Sequence, residues 1–263
     1  MPKFAANLTM LFTEHPVIER FSAARAFGFS DVEFLFPYDH DVDAIERVLR
    51  EQRQLMILFD LPVGDFAAGD RGLANDPARR EEFKQGAVMT AELAQRYGTP
   101  LLNCLVGKEL ADVPRAEQRN TLVENLRFAA GETAQRGVRL LVEPLNTIET
   151  PGFLIGTARD GMDLIEEVGH DNLWLQLDLY HEQRMAGNLV ATLNEFIDRI
   201  AHIQVADSPH RHQPGSGEIN YRYVFDAIDQ SGYDGWVALE FGPSPDTASA
   251  LADMRDQGLL TTD

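Results

Sequence analysis

The chain has 263 residues, with 23 basic against 42 acidic side chains for a net charge of −19, and is 44% hydrophobic and 25% charged. This is the size of one (β/α)8 barrel and the composition of a globular protein with a large core; nothing reads as a linker, so residues 1–263 are expected to form a single domain. The acidic field repels phosphate backbones and anionic membrane surfaces, and no long apolar run or targeting segment stands out, which argues against nucleic acid and membranes as partners and for a soluble, cytoplasmic protein.

Short apolar runs alternate with longer amphipathic stretches from end to end, the pattern of βα units around a parallel sheet. Eight strands are expected, near Phe4 to Asn7, Val32 to Leu35, Met56 to Leu61, Leu101 to Leu105, Leu140 to Glu143, Leu173 to Asp178, Ile200 to Val205 and Trp236 to Glu240. Between the third and fourth, Asp76-Pro77 supplies a capping acid and a first-turn proline, and Gly98 a stop. Helices before Gly28, Gly137, Gly169 and Gly232 end on glycine in the same way. The lone Cys104 lies in an apolar run, where it packs as a small hydrophobe; with no second cysteine there is no intramolecular disulfide, consistent with a reducing compartment.

Four polar residues close the last four apolar runs: Glu143, Asp178, Gln204 and Glu240. A single strand-end acid is ordinarily a solvated loop residue or a helix cap. These four recur at roughly one strand-plus-helix interval, a βαβ unit taking about 30 residues, and all carboxyl ends of a closed parallel barrel face the same way, toward the face that carries the chemistry. They are therefore expected to converge.

Two Glu, one Asp and one Gln offer only oxygen atoms, which suits Mg²⁺ first and Mn²⁺ next; Zn²⁺ is the remaining alternative because His181 and His202 lie nearby. Such an ion can hold the carbonyl and hydroxyl oxygens of an α-hydroxycarbonyl compound and stabilise the enediolate left when a neighbouring C–H loses its proton. With Glu143 and Glu240 on opposite sides, one can remove the proton and the other return it to the adjacent carbon. That is an isomerase or epimerase needing no organic cofactor.

Two connections exceed what barrel packing requires, Pro62 to Gly72 and Ala206 to Asn220. They and the fourth loop supply Arg71, Arg211 and Lys108 as groups for a substrate carboxylate, with Lys108 placed first because it is nearest a strand end. His181, three residues past Asp178, is expected in a loop beside the metal ligands and in contact with substrate. His202 is expected on the same strand face as Gln204, one layer deeper.

The stretches Phe-Ala-Ala-Asn-Leu-Thr-Met-Leu-Phe (4 to 12), Val-Glu-Phe-Leu-Phe-Pro-Tyr (32 to 38), Gly-Asp-Phe-Ala-Ala-Gly-Asp-Arg-Gly (64 to 72), Asn-Cys-Leu-Val-Gly-Lys (103 to 108), Val-Glu-Pro-Leu-Asn (142 to 146) and Gly-Ser-Gly-Glu-Ile-Asn-Tyr (215 to 221) resemble the hydroxypyruvate isomerase family of xylose-isomerase-like barrels. The resemblance implies interconversion of hydroxypyruvate and 2-hydroxy-3-oxopropanoate (tartronate semialdehyde), with Glu143 and Glu240 transferring protons and Glu143, Asp178, Gln204 and Glu240 holding the metal. The 2-oxo-tetronate isomerases resemble the start of the chain almost as well, which leaves a four-carbon substrate as an alternative; an epimerase or a polyol-ketone dehydratase on the same barrel is a further one. Asp60 stands where many relatives carry Asn. The partner implied is a small anionic hydroxy-keto acid. A homo-oligomer is left open, with Phe66 and Tyr221 as aromatics that could reach a partner's site.

Overall fold

A computed structural model of the protein describes residues 2–261. The strands are β1 Lys3–Asn7, β2 Asp31–Glu33, β3 Leu55–Asp60, β4 Leu101–Cys104, β5 Arg139–Val142, β6 Leu173–Asp178, β7 Ile200–Val205 and β8 Trp236–Leu239. Each pairs in parallel with the next and β8 pairs with β1, closing the barrel in chain order. All eight expected strands are present, with ends moved by one or two residues.

Helices α1 Val17–Ala26, α2 Val42–Gln52, α3 Arg80–Tyr97, α4 Arg115–Ala134, α5 Ala158–Val168, α6 Leu179–Met185, α7 Leu189–Phe196, α8 Tyr221–Gln230 and α9 Thr247–Asp256 fill the connections. The start signals act as expected. Asp76 caps a backbone N–H group with its carboxylate, but its proline leads into a 3-10 turn, Pro77–Arg79, before α3 begins. Gly98 and Gly169 take the left-handed conformation that ends α3 and α5. One expectation is corrected: His181 lies in the first turn of α6, not in a loop. Asp178 ends β6 and at once caps α6, accepting from the N–H groups of Tyr180 and His181, so the helix starts without an intervening turn.

The main core lies between strands and helices, where Phe4 meets Phe225 edge-on at 5.3 Å and Leu102, Leu140, Leu122 and Leu164 are fully buried. Each such side chain contributes about 1.5–3 kcal/mol by leaving water. A second, small apolar cluster contains Ala5, Leu101, Leu141 and Ala238. These four sit two residues before Asn7, Asn103, Glu143 and Glu240, hence on the same strand faces and one layer down. At the first residues of the strands, Lys3 lies over Trp236 at 4.2 Å, and Arg139 and Arg199 lie over Trp174 at 4.6 and 4.8 Å, covering the amino-terminal end. Among the described residues no helix is long and apolar enough to cross a membrane.

Candidate active site

At the opposite end every strand presents a polar residue within one position of its last: Asn7, Glu33, Asp60, Asn103, Glu143, Asp178, Gln204 and Glu240. None is more than 5% exposed. The sequence pattern singled out the last four; the first four complete a ring. The same signal, a polar residue closing an apolar run, was available for Asn7, Glu33 and Asn103.

Within the ring, ligand atoms of Glu143, Asp178 and His181 all lie within 4.8 Å of one another. Glu240 joins through Arg211, whose Nη2 donates to Glu240 Oε2 at 2.5 Å and lies 3.6 Å from Asp178 Oδ2. Arg211 is delivered by the loop between β7 and α8. Buried Asp207 ties that loop, accepting from Gly215 N at 2.9 Å and Ile219 N at 3.0 Å. Gly217 passes so close that a Cβ would sit 2.1 Å from the Ser208 carbonyl oxygen. Arg211 itself has φ +55° and lays its guanidinium 5.4 Å from the Tyr180 ring centre.

The electrostatics of this group are strained in one direction. Burial, then the charges of Glu240 and Asp178, hold the Glu143 carboxyl well above its ordinary range. Burial raises that of Glu240 too, with Arg211 opposing and Asp178 adding to the rise. Asp60, fully buried, is raised by desolvation, and its Oδ1 has no hydrogen-bond partner. Asp178 Oδ2 likewise has none. His181 is pushed down to about 4 by burial, so it is neutral. Its Nδ1 accepts from Asn146 N at 3.2 Å and faces Asn146 Nδ2 at 2.7 Å, which leaves the hydrogen on Nε2. The 3.5 Å approach of Nε2 to Asp178 Oδ2 is then a polar contact, not an ion pair. Two carboxylates and an imidazole with their ligand atoms within 4.8 Å of one another, and one carboxylate oxygen unmet, could hold a divalent cation.

Gln204 lies opposite Asp178 in the β6–β7 register. Its Oε1 accepts from Gln176 Nε2 at 2.6 Å and its Nε2 donates to Glu33 Oε1 at 2.8 Å. A carbonyl oxygen has two lone pairs, so one remains. His202 is paired with Gln176, one layer below Gln204 and Asp178. Its Nε2 meets Glu33 Oε2 at 2.9 Å, and Asn103 Nδ2 donates to Glu143 Oε2 at 2.8 Å.

Arg71 and Lys108 stand elsewhere. They line one cavity of about 220 Å³ between the third and fourth loops, with Asp70, Arg79 and Glu109, and none of the strand-end carboxylates lines it. Arg71 stacks on Phe66 at 3.7 Å and donates to the carbonyls of Phe66 and Asp70. Phe66 is 49% exposed. Tyr221, by contrast, is buried and donates to the Ala206 carbonyl at 2.6 Å, so it cannot reach a partner. Two groups past β5 were not foreseen: Asn146, which holds His181, and Glu149, which accepts from the Tyr180 hydroxyl.

A closed parallel barrel whose carboxyl-end rim carries buried carboxylates is the form of the xylose isomerase-like TIM barrels. The model of that family matches residues 21–257, and the chain belongs to it. It is 45% identical to hydroxypyruvate isomerase of Escherichia coli over 95% of this chain and 97% of that one. It is 42% identical to 2-oxo-tetronate isomerase of Cupriavidus necator over 95% and 96%. A solved structure from Brucella melitensis, described as an AP endonuclease of family 2, superposes with a TM-score of 0.94 at 40% identity, covering 97% and 99%.

Proposed function

We propose that the protein is a divalent-cation-dependent isomerase that interconverts hydroxypyruvate and 2-hydroxy-3-oxopropanoate. The observation that carries this reading is the grouping of Glu143 with Asp178, within 4.8 Å, and of Glu240 with Asp178 through Arg211, so that glutamates from β5 and β8, three strands apart, flank one carboxylate. The 45% identity to a hydroxypyruvate isomerase supports the substrate. Glu143, Asp178, Gln204 and Glu240 would hold the cation, Mg²⁺ or Mn²⁺. Bound there, it supplies positive charge to the substrate oxygens as they become negative.

In the reaction a proton leaves C3 of hydroxypyruvate, another is delivered to C2, and the hydroxyl hydrogen passes between the two oxygens. One glutamate takes the first proton and the other gives the second. Burial raises both carboxyls above their ordinary range in the ion-free protein, so each is better able to hold the proton it takes up. Asn103 holds Glu143 and Asn7 holds Glu240, at 2.8 and 3.2 Å, keeping each in reach. Nε2–H of neutral His181 donates to a substrate oxygen. Arg211 attracts the anionic substrate, and Arg71 and Lys108, in the separate cavity between the third and fourth loops, are the further candidates for contact with its carboxylate.

Incubation with hydroxypyruvate and Mn²⁺ in deuterated water tests this. The expected result is 2-hydroxy-3-oxopropanoate carrying solvent deuterium at C2; absence of turnover, or a product lighter by one water, refutes it. The Cupriavidus relative favours a second reading, a four-carbon 2-oxo-tetronate substrate. The ratio of kcat/KM on the two substrates decides between them. An abasic-site nuclease is disfavoured by the net charge of −19 and by the absence of histidine from β3 and β4.

A further inference from the structure

Gln204 poses a chemical problem that the three carboxylates do not. Either oxygen of a carboxylate can meet a cation, but a carboxamide has one end that ligates and one that repels, and the two are almost the same shape. Something must choose the end.

The choice is not made by Gln176. It donates to Gln204 Oε1 at 2.6 Å, but it is itself an amide, and its own Oε1 has no partner. Were Gln204 to turn over, Gln176 could turn with it and restore the bond. Glu33 has no such freedom. It is fully buried, and both its oxygens are engaged: Oε1 accepts from Gln204 Nε2 at 2.8 Å and Asn7 Nδ2 at 2.7 Å, and Oε2 lies 2.9 Å from His202 Nε2. Its Oε1, already accepting from the Asn7 amide, offers only lone pairs to Gln204. Presenting it with the Gln204 oxygen would set two buried acceptors against each other, which costs far more than the bond gains.

We infer that Glu33 is the positioning residue that fixes the Gln204 amide with its NH₂ toward β2 and its oxygen toward β6, the strand that carries Asp178. It acts on Glu240 as well. Asn7 Nδ2 bridges Glu33 Oε1 and Glu240 Oε1, and the Asn7 amide cannot turn because its Oδ1 accepts from Thr9 N at 2.9 Å and Met10 N at 3.3 Å. One carboxylate of the rim thus sets two of the four groups proposed to hold the cation. The inference rests on that cation reading.

Calorimetric titration of the full-length protein with Mn²⁺ tests it, using wild type, Glu33→Gln and the double variant Glu33→Gln/Gln204→Glu. In the single variant the amide at position 33 can donate to the Gln204 oxygen, so the pair can settle with NH₂ facing the ion. The expected weakening is about 10- to 100-fold, the usual effect of removing a group that orients a ligand. The double variant exchanges acid and amide within the same pair, restores an oxygen toward β6, and should recover most of the lost affinity. Wild-type affinity in the single variant, or equal weakening in both, overturns the inference, since a merely structural role would not be rescued by the exchange. Should the single variant fail to fold by circular dichroism, the double variant decides: folded and binding supports the assignment, while folded without binding or unfolded overturns it. Failure of wild type itself to bind Mn²⁺ is the separate outcome that removes the cation reading and this inference with it.

Discussion

Replacing Glu143 by glutamine should make the enzyme slower and the cation-free protein more stable. Loss of one proton-transferring group costs about 100- to 10,000-fold in rate, or about 3–5 kcal/mol of transition-state stabilisation at about 1.36 kcal/mol per tenfold. The second effect comes from crowding. Ligand oxygens of Glu143 and Asp178 lie within 4.8 Å. Where both are ionised, two unit charges at that distance repel by about 3 kcal/mol at an effective dielectric constant of about 20. The neutral amide introduced by the substitution removes that repulsion and keeps its anchor, because Asn103 Nδ2 can donate to an amide oxygen as it does to the carboxylate. The opposing outcomes separate the two roles. In the absence of divalent ions the Glu143→Gln melting temperature should rise by several degrees, at about 2–4 °C per kcal/mol for a chain near this size, while turnover of hydroxypyruvate with Mn²⁺ collapses. Full activity in the variant, or a lower melting temperature without the ion, refutes the reasoning.

Further outcomes follow from the same geometry. Because Glu143 and Glu240 are raised in the folded protein, the unfolded chain gives up their protons first as pH climbs past the ordinary value of 4.5, so these two groups make the cation-free protein less stable with rising pH until their folded values are passed. The difference in melting temperature between Glu143→Gln and wild type should therefore grow as pH rises through that value and shrink when Mn²⁺ is added; a difference independent of pH speaks against it. Arg211→Met removes the cation paired with buried Glu240 and should destabilise the ion-free protein by about 3 kcal/mol in denaturant titrations, with much of the loss recovered on adding Mn²⁺. Asp207→Ala leaves the N–H groups of Gly215 and Ile219 without their acceptor, at about 1–3 kcal/mol for each one buried, and should lower kcat/KM because Arg211 rides on that loop. Arg71→Met and Lys108→Met should raise KM for hydroxypyruvate with little change in kcat if they bind the substrate carboxylate alike in ground and transition states; unchanged KM removes them from the site.

The barrel was legible because each strand is a short apolar run and each helix carries its own signals, as at Asp76, Gly98 and Gly169. The strand-end acids could be read for the same reason: an acid closing an apolar run is conspicuous, and parallel topology does the rest. What could not be read was who touches whom across the barrel. Glu33 and Gln204 are 171 residues apart in sequence yet 2.8 Å apart in space, and no local pattern encodes that. Arg211 was visible as one base among several in a long loop, but its reach to Glu240 depends on a left-handed backbone and on ties from Asp207. The sequence puts His181 in a loop because nothing local marks Asp178 as more than a strand-end ligand, yet the same carboxylate also starts α6.

The two layers inside the barrel divide the labour of the molecule. One pleat down, Ala5, Leu101, Leu141 and Ala238 fill one part of the cylinder while Gln176 and His202 bond in the other, and the ring above them contributes almost nothing apolar to that closure. The eight rim positions are therefore sockets on a finished frame, tied to one another more than to it. An engineer seeking a new reaction can alter one socket at a time and expect the cylinder to survive, provided each new side chain finds a bonding partner around the circle.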